Sequence, residues 1–123
     1  MTTTVDTHLN LSEEIKNEAI HNSAFNDFIR EIEKRILEYG KKIKIKTESK
    51  VYLEDDWEEP NYTKVILLIN FEGIPFETEL KLWKELNDVI YKKINLIIYK
   101  APEPLAKELE SIKKRFFIKL DLN

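Results

Sequence analysis

The sequence predicts an α+β domain in which a four-stranded mixed sheet is flanked by amphipathic helices. Several segments space their apolar residues three or four apart, as helices do, and others alternate apolar and polar residues, as half-buried strands do. Residues 63–71 are instead apolar on both faces. The predicted order of elements is α-β-β-α-β-α-β, with the first helix either continuous or broken near residue 22.

Length and composition place the chain in one domain. At this length, 123 residues, a chain buries roughly two thirds of its unfolded surface. Hydrophobic residues make up 42% and charged residues 35%, which is typical of a globular protein. Residues 1–11 are Thr-rich and aperiodic, so we expect a flexible N-terminus, followed by a single α+β domain over residues 12–123.

The absence of cysteine excludes disulfides, thiol nucleophiles and thiolate metal sites. Only two glycines are present and neither lies in a phosphate-binding loop, so we expect no cofactor. No apolar run approaches the roughly 18 residues of a transmembrane helix, and the first residues lack the pattern of a secretory signal. We therefore expect a cytoplasmic protein without a membrane partner.

Capping signals and one apolar face predict the N-terminal helical region. Ser12 is a good N-cap and is followed by two acids, which the positive end of a helix dipole favours. Apolar residues then recur at helical spacing up to Tyr39, and Gly40 stands where a C-terminal cap belongs. Residues 21–23 are poor helix formers, and the last two of them can each cap a second helix.

Two strands are predicted next, at residues 42–53 and 63–71. The first alternates apolar and polar residues, so one face is buried and the other, which carries lysines, faces solvent. The second is apolar on both faces, so we expect it to be central and covered on both. Residues 54–62 form a charged hairpin loop, which makes the two strands antiparallel.

The C-terminal half adds two helices and two strands. Apolar faces predict helices over residues 77–93 and from residue 105 to about residue 115. Residues 95–99 and 116–122 are predicted as strands. Strand–helix–strand connections are almost always parallel and right-handed, so we expect these two strands to run parallel to the one at residues 63–71. The first and last strands, each polar on one face, are expected at the sheet edges.

The loop at residues 54–59 contains five acids and one tryptophan. Carboxylates at strand ends can bind Mg²⁺ or Mn²⁺, so Asp55, Asp56 and Glu58 are candidate metal ligands of a phosphodiesterase or nuclease. Consecutive acids point in different directions, however, and a solvated hairpin loop accounts for the same residues. Trp57 in this loop is a candidate anchor for a protein contact.

A second candidate site is a lysine stripe on the first predicted strand. Lys44, Lys46 and Lys50 would follow its solvent face, where alternate residues lie about 7 Å apart and can track a phosphate backbone, and Tyr52 could stack on a base. Lysines also protect an edge strand from unwanted pairing. The net charge of −3 gives no overall attraction to nucleic acid, so weak nucleic-acid binding is the alternative interpretation.

No catalytic signature is present, and the sequence favours a non-catalytic interaction or regulatory protein that binds itself or another protein. A continuous helix over residues 12–39 would be about 40 Å long and would carry apolar residues beyond the sheet, which predicts a homodimer. A break near residue 22 would instead fold the first helix back onto the domain and leave a monomer.

Overall fold

The fold is α+β with a four-stranded mixed sheet, as the sequence predicts, and the described residues form four helices. The computed structural model describes residues 7–59 and 62–121. The strands are β1 (Thr7–Leu11), β2 (Thr47–Asp55), β3 (Thr63–Phe71) and β4 (Phe116–Leu120). The helices are α1 (Glu13–His21), α2 (Ser23–Ile43), α3 (Phe76–Lys100) and α4 (Leu105–Lys114).

The strands lie in the order β1-β2-β3-β4. The central pair, β2 and β3, is antiparallel and forms the predicted hairpin. Each central strand pairs in parallel with its outer neighbour, β2 with β1 and β3 with β4. The predicted central position of β3 and the edge position of β4 are confirmed.

All four helices pack on one face of the sheet. The hydrophobic core joins buried residues of every helix to alternate strand residues, among them Val51, Leu67 and Ile118. The strand residues between these, such as Ile66, point to the opposite side and are not part of this core. Among the described residues no helix covers that opposite side, which we call the open face.

The two helical crossovers differ in hand. One connects β1 to β2 and the other connects β3 to β4, and the two parallel pairs run in opposite directions. Both crossovers move across the sheet in the same sense and lie on the same face. One of them must therefore be left-handed, although such connections are right-handed in roughly 98% of cases.

The helix break near residue 22 is confirmed. Asn22 separates α1 from α2 in an extended conformation, with φ −141° and ψ 106°. Its Oδ1 accepts a hydrogen bond from the amide of Phe25 at 3.1 Å. The α1 helix folds back on the domain and buries Ile15 completely, so the continuous 40 Å helix that predicted a dimer is absent from this fold.

The first predicted strand begins five residues too early. The α2 helix continues through Gly40 to Ile43, and Lys44, at φ 56°, is its left-handed C-cap. Gly40 is needed inside the helix because a Cβ there would lie 2.0 Å from Oγ1 of Thr7. From Thr47 onwards the predicted alternation of buried and solvent-facing residues is confirmed.

The N-terminal residues of the described chain form a strand that the sequence analysis missed. Thr7–Leu11 were assigned to a flexible N-terminus, but they form β1, which pairs along one side of β2. The prediction that β2 is an edge strand is therefore wrong, and β1 takes that position. The alternation is present in this segment, but only Leu9 and Leu11 are apolar and the residues before them are Thr-rich, so the pattern is weak.

Residues 95–99 are helical and not a strand, because they form the last turns of α3. Leu86, Ile90 and Ile94 are buried at four-residue spacing, and Ile98 packs against the same core. A short apolar run fits both a buried strand and a buried helix face, so its pattern does not separate the two. Trp83 packs against the core from α3, as predicted.

Polar side chains connect the helices to one another and to the sheet. The Arg115 guanidinium donates to the carbonyl of Thr63 at 3.2 Å, pairs with Glu18 of α1 and lies over the ring of Phe25. The hydroxyl of Tyr39 donates to the carbonyl of Leu82 at 3.4 Å. Burial, with a further contribution from nearby Glu85, raises the pKa of Tyr39 well above its usual value.

Candidate interaction surface

The open face of the sheet can be mapped from the strand register. Because side chains alternate, every second residue of each strand lies on this face. Paired residues form rows that cross the strands, with neighbouring rows about 7 Å apart. The residues of this face, from β1 to β4, are His8, Asn10, Glu48, Lys50, Tyr52, Glu54, Lys64, Ile66, Leu68, Asn70, Phe117 and Lys119.

An apolar row crosses the middle of the open face. Tyr52 of β2 lies opposite Ile66 of β3, and Ile66 lies opposite Phe117 of β4. Leu68 extends the apolar surface into the next row, where it is half-buried. The ring of Phe117 is 39% exposed and Tyr52 is half-buried, so this row presents aromatic surface to solvent.

Ile66 is fully buried although no helix of the described chain covers it. Tyr52 and Phe117 flank it within its row. The carboxylate of Glu54 and the ammonium of Lys119 form an ion pair at 3.5 Å, and the register places Ile66 midway between these two residues. Among the described residues no helix supplies the predicted cover on this second face of β3, where Ile66 is fully buried and Leu68 is half-buried.

Charges of both signs border the apolar row. Lys50 and Lys119 lie on one side of it, and Glu54 and Lys64 lie on the other. The ammonium of Lys64 lies 5.6 Å from the centroid of the Phe117 ring. Mixed charge of this kind is typical of a protein contact and lacks the single positive field that attracts nucleic acid.

The predicted lysine stripe is divided among three kinds of structure. Lys44 caps α2 and is exposed. Lys46 precedes β2, where its ammonium pairs with Glu72 at 3.4 Å and with Glu48 at 3.7 Å. Only Lys50 lies within the strand, so no single strand spaces these lysines along a phosphate backbone.

The acidic loop is arranged as a turn. Oδ1 of Asp56 accepts a hydrogen bond from the amide of Glu58 at 2.9 Å, and the amide of Asp56 donates to the carbonyl of Tyr62 at 3.0 Å. Asp55 and Glu58 are exposed. Over residues 7–59 and 62–121, no three His, Asp or Glu side chains converge as metal ligands.

Trp57 is the most exposed large apolar residue of the loop, with 90% of its surface accessible. Its indole projects into solvent and does not fold back over the sheet. It remains a candidate contact residue, but it stands apart from the apolar row of the open face.

A small cavity lies at one end of the open face. It measures about 170 Å³, and its lining includes Asn10, Glu48, Lys50, Leu68 and Asn70. Pockets for organic ligands usually measure roughly 300–1,000 Å³. This part of the sheet therefore suits a flat contact better than an enclosed ligand.

Comparison with known proteins gives no match to a family model, to a curated protein or to a solved structure. In the part of the chain that the structure describes, no helix has both the length and the apolar character needed to cross a membrane.

Proposed function

We propose that this protein is a non-catalytic protein-interaction module that acts as a homodimer, with the open sheet face binding a second copy. The observation that carries the proposal is the half-covered sheet, in which Tyr52, Ile66 and Phe117 form an apolar row between charged residues. An aromatic centre with a charged rim is the usual anatomy of a protein interface.

The open face is complementary to itself. A two-fold axis parallel to the strands and between β2 and β3 exchanges the positions of directly paired residues. Because Glu54 pairs with Lys64 and Tyr52 pairs with Ile66, this axis sets Glu54 over the partner's Lys64 and Tyr52 over the partner's Ile66. Opposite charges then meet in one row and apolar groups in the next, while in the row beyond them Lys50 comes over the partner's Leu68.

The size of the face predicts a weak dimer. Four strands at about 4.8 Å spacing, with central strands about 30 Å long, give a face of roughly 500 Å². Two such faces bury roughly 1,000 Å², the lower end for specific interfaces. Association in the micromolar range is therefore expected, as in a regulatory contact that forms and dissociates readily.

Sedimentation of the protein from micromolar to millimolar concentration tests the proposal. The mass should rise from 14.7 kDa towards twice that value. Phe117→Lys should abolish the rise because it puts a charge in the apolar row. Leu96→Lys on α3 is the matched control, since Leu96 is 41% exposed and Phe117 is 39% exposed. A monomer at all concentrations, or equal loss in both variants, contradicts the proposal.

A second measurement separates protein contact from nucleic-acid contact on the same face. Fluorescence anisotropy of a labelled single-stranded oligonucleotide should show no binding at physiological salt. Binding that weakens in both Phe117→Lys and Lys50→Ala would identify the aromatic row as a stacking platform and would replace the dimer proposal.

A further inference from the structure

The α1 and α2 helices are separated by one residue. Asn22 alone is extended, and helical residues lie immediately on both sides of it. The three residues at this break, His21, Asn22 and Ser23, are all exposed. Their own side chains therefore make no core contact that would fix the change of direction between α1 and α2. The N-terminal arm, which we define as Thr7–His21, comprises β1 and α1, and the hinge at Asn22 is its covalent connection to α2.

The break leaves helix ends that a straight helix would join. Each helix end has four backbone groups without an intrahelical partner. The Asn22 side chain satisfies one of them by accepting from Phe25. A single helix over Glu13–Ile43 would pair the others internally and would be about 46 Å long.

Ile20 is the large apolar side chain that the closed arm leaves uncovered, with 78% of its surface exposed. It stands four residues before Ala24 and eight before Phe28, both of which are fully buried. In a continuous helix these three residues follow one face. Ile20 would then extend the apolar stripe of α2 across the hinge, where a second such helix can cover it.

We infer that the N-terminal arm can be exchanged between two copies of this chain, with α1 and α2 joined in one helix. In the exchanged dimer each arm makes in the partner the contacts it makes here. These contacts are the parallel pairing of β1 with β2, the burial of Ile15 and the ion pair between Glu18 and Arg115. Exchange preserves them, so only the hinge and the new contact around Ile20 differ between the two forms.

Arm exchange goes beyond the proposed face-to-face dimer and uses different residues. The open face and the hinge would form two separate two-fold contacts. A chain that has two such contacts can build assemblies larger than a dimer. The two contacts can also be lost independently, which keeps their tests separate.

A disulfide trap tests the exchange, because the natural chain has no cysteine to interfere. Asn10 of β1 and Lys50 of β2 are directly paired, so Asn10→Cys with Lys50→Cys links the arm to the body to which it is docked. After refolding at high concentration and oxidation, exchange gives a covalent dimer on a non-reducing denaturing gel. An unexchanged arm gives a covalently closed monomer of 14.7 kDa.

The matched control joins β3 to β4. Leu68 and Lys119 are also directly paired, lie in a parallel pair and belong to the same row of the open face. Neither is part of the arm, so Leu68→Cys with Lys119→Cys should give closed monomers under every condition. Covalent dimers in this control would show random cross-linking between molecules, and dimers in the Asn10/Lys50 pair would then be no evidence of arm exchange.

Two hinge variants in the Asn10/Lys50 trap background give opposite results if the inference is right. Ser23→Pro fits the first position of α2, where proline is tolerated after an extended residue, but proline blocks a continuous helix. It should abolish the covalent dimer. Asn22→Ala removes the cap and favours helix at the hinge, and it should raise the dimer fraction by about fivefold or more.

Closed monomers in the parent trap and in Asn22→Ala would overturn the inference. Covalent dimers that persist in Ser23→Pro would also overturn it, because they would form without a joined helix. Phe117→Lys, which disrupts the proposed face contact, should leave the trapped fraction unchanged. Failure of the face-to-face dimer is thus distinguishable from failure of arm exchange.

Discussion

The two faces of the sheet bury apolar residues by different means. On the helix-covered face, Phe116 is 2% exposed and packs edge-on against Phe28, with ring centroids 5.2 Å apart. On the open face, Ile66 is buried by neighbouring rows and by one ion pair. One face of the sheet is therefore packed beneath helices, and on the other face neighbouring strand side chains enclose an apolar residue.

The largest expected difference lies between two adjacent phenylalanines of β4. Phe116→Ala should lower the free energy of unfolding by about 3–5 kcal/mol because it opens a cavity in the core. Phe117→Ala should lower it by about 1 kcal/mol or less because the ring is already partly in water. Urea unfolding of the two variants measures both values. Equal losses would show that the open face is as closely packed as the core.

A second prediction concerns the packing of β1 on α2. A methyl group at Gly40 would lie 2.0 Å from Oγ1 and 2.9 Å from Cβ of Thr7. Gly40→Ala should therefore lower the free energy of unfolding by about 1–3 kcal/mol, although alanine favours helix elsewhere. Thr7→Gly removes both atoms and should restore part of the loss in a double-mutant cycle. Additive losses would mean that the two residues do not meet.

The third prediction uses pH on the helix-covered face. Below about pH 10 Tyr39 is neutral in both the folded and the unfolded chain, so its burial carries no ionisation cost. Above that pH the unfolded chain releases the proton while the raised pKa retains it in the fold, so the free energy of unfolding falls. In thermal melts between pH 9 and pH 11, the melting temperature of Tyr39→Phe should fall less steeply with pH than that of the parent protein. The fall should begin within about one pH unit of the ordinary tyrosine pKa. Identical slopes would contradict the prediction.

The smallest expected effect is that of the ion pair over Ile66. Glu54→Gln should cost about 0.5 kcal/mol or less, because both partners are about half exposed and salt screens the pair. The loss should vanish at high ionic strength in urea unfolding. A loss that persists in molar salt would show that the pair contributes to packing and not only to charge.

The candidate site was only partly predictable. The acidic loop and the lysine stripe predict candidate site residues that include Asp55, Asp56 and Lys44, and none of these three lies on the open face. The apolar residues of that face were visible in the alternation of β3 and β4, but whether a helix covers them depends on the side to which each crossover turns. The alternation of side chains shows which residues share a face of a strand, but it does not show which face the helices leave uncovered.

Elements that depend on local chemistry are predictable from the sequence. The bounds of β3, the helical start after Ser12 and the possible caps at residues 22 and 23 follow from capping and from apolar spacing within a few residues, but the choice between a continuous and a broken helix does not. The secondary structure of Thr7–Leu11 and of residues 95–99 depends instead on long-range contacts. The first forms a strand because β2 offers it an edge beside Gly40, and the second is helical because its apolar residues complete the core face of α3. Contacts between residues far apart in the chain settle such segments, since their own patterns fit more than one structure.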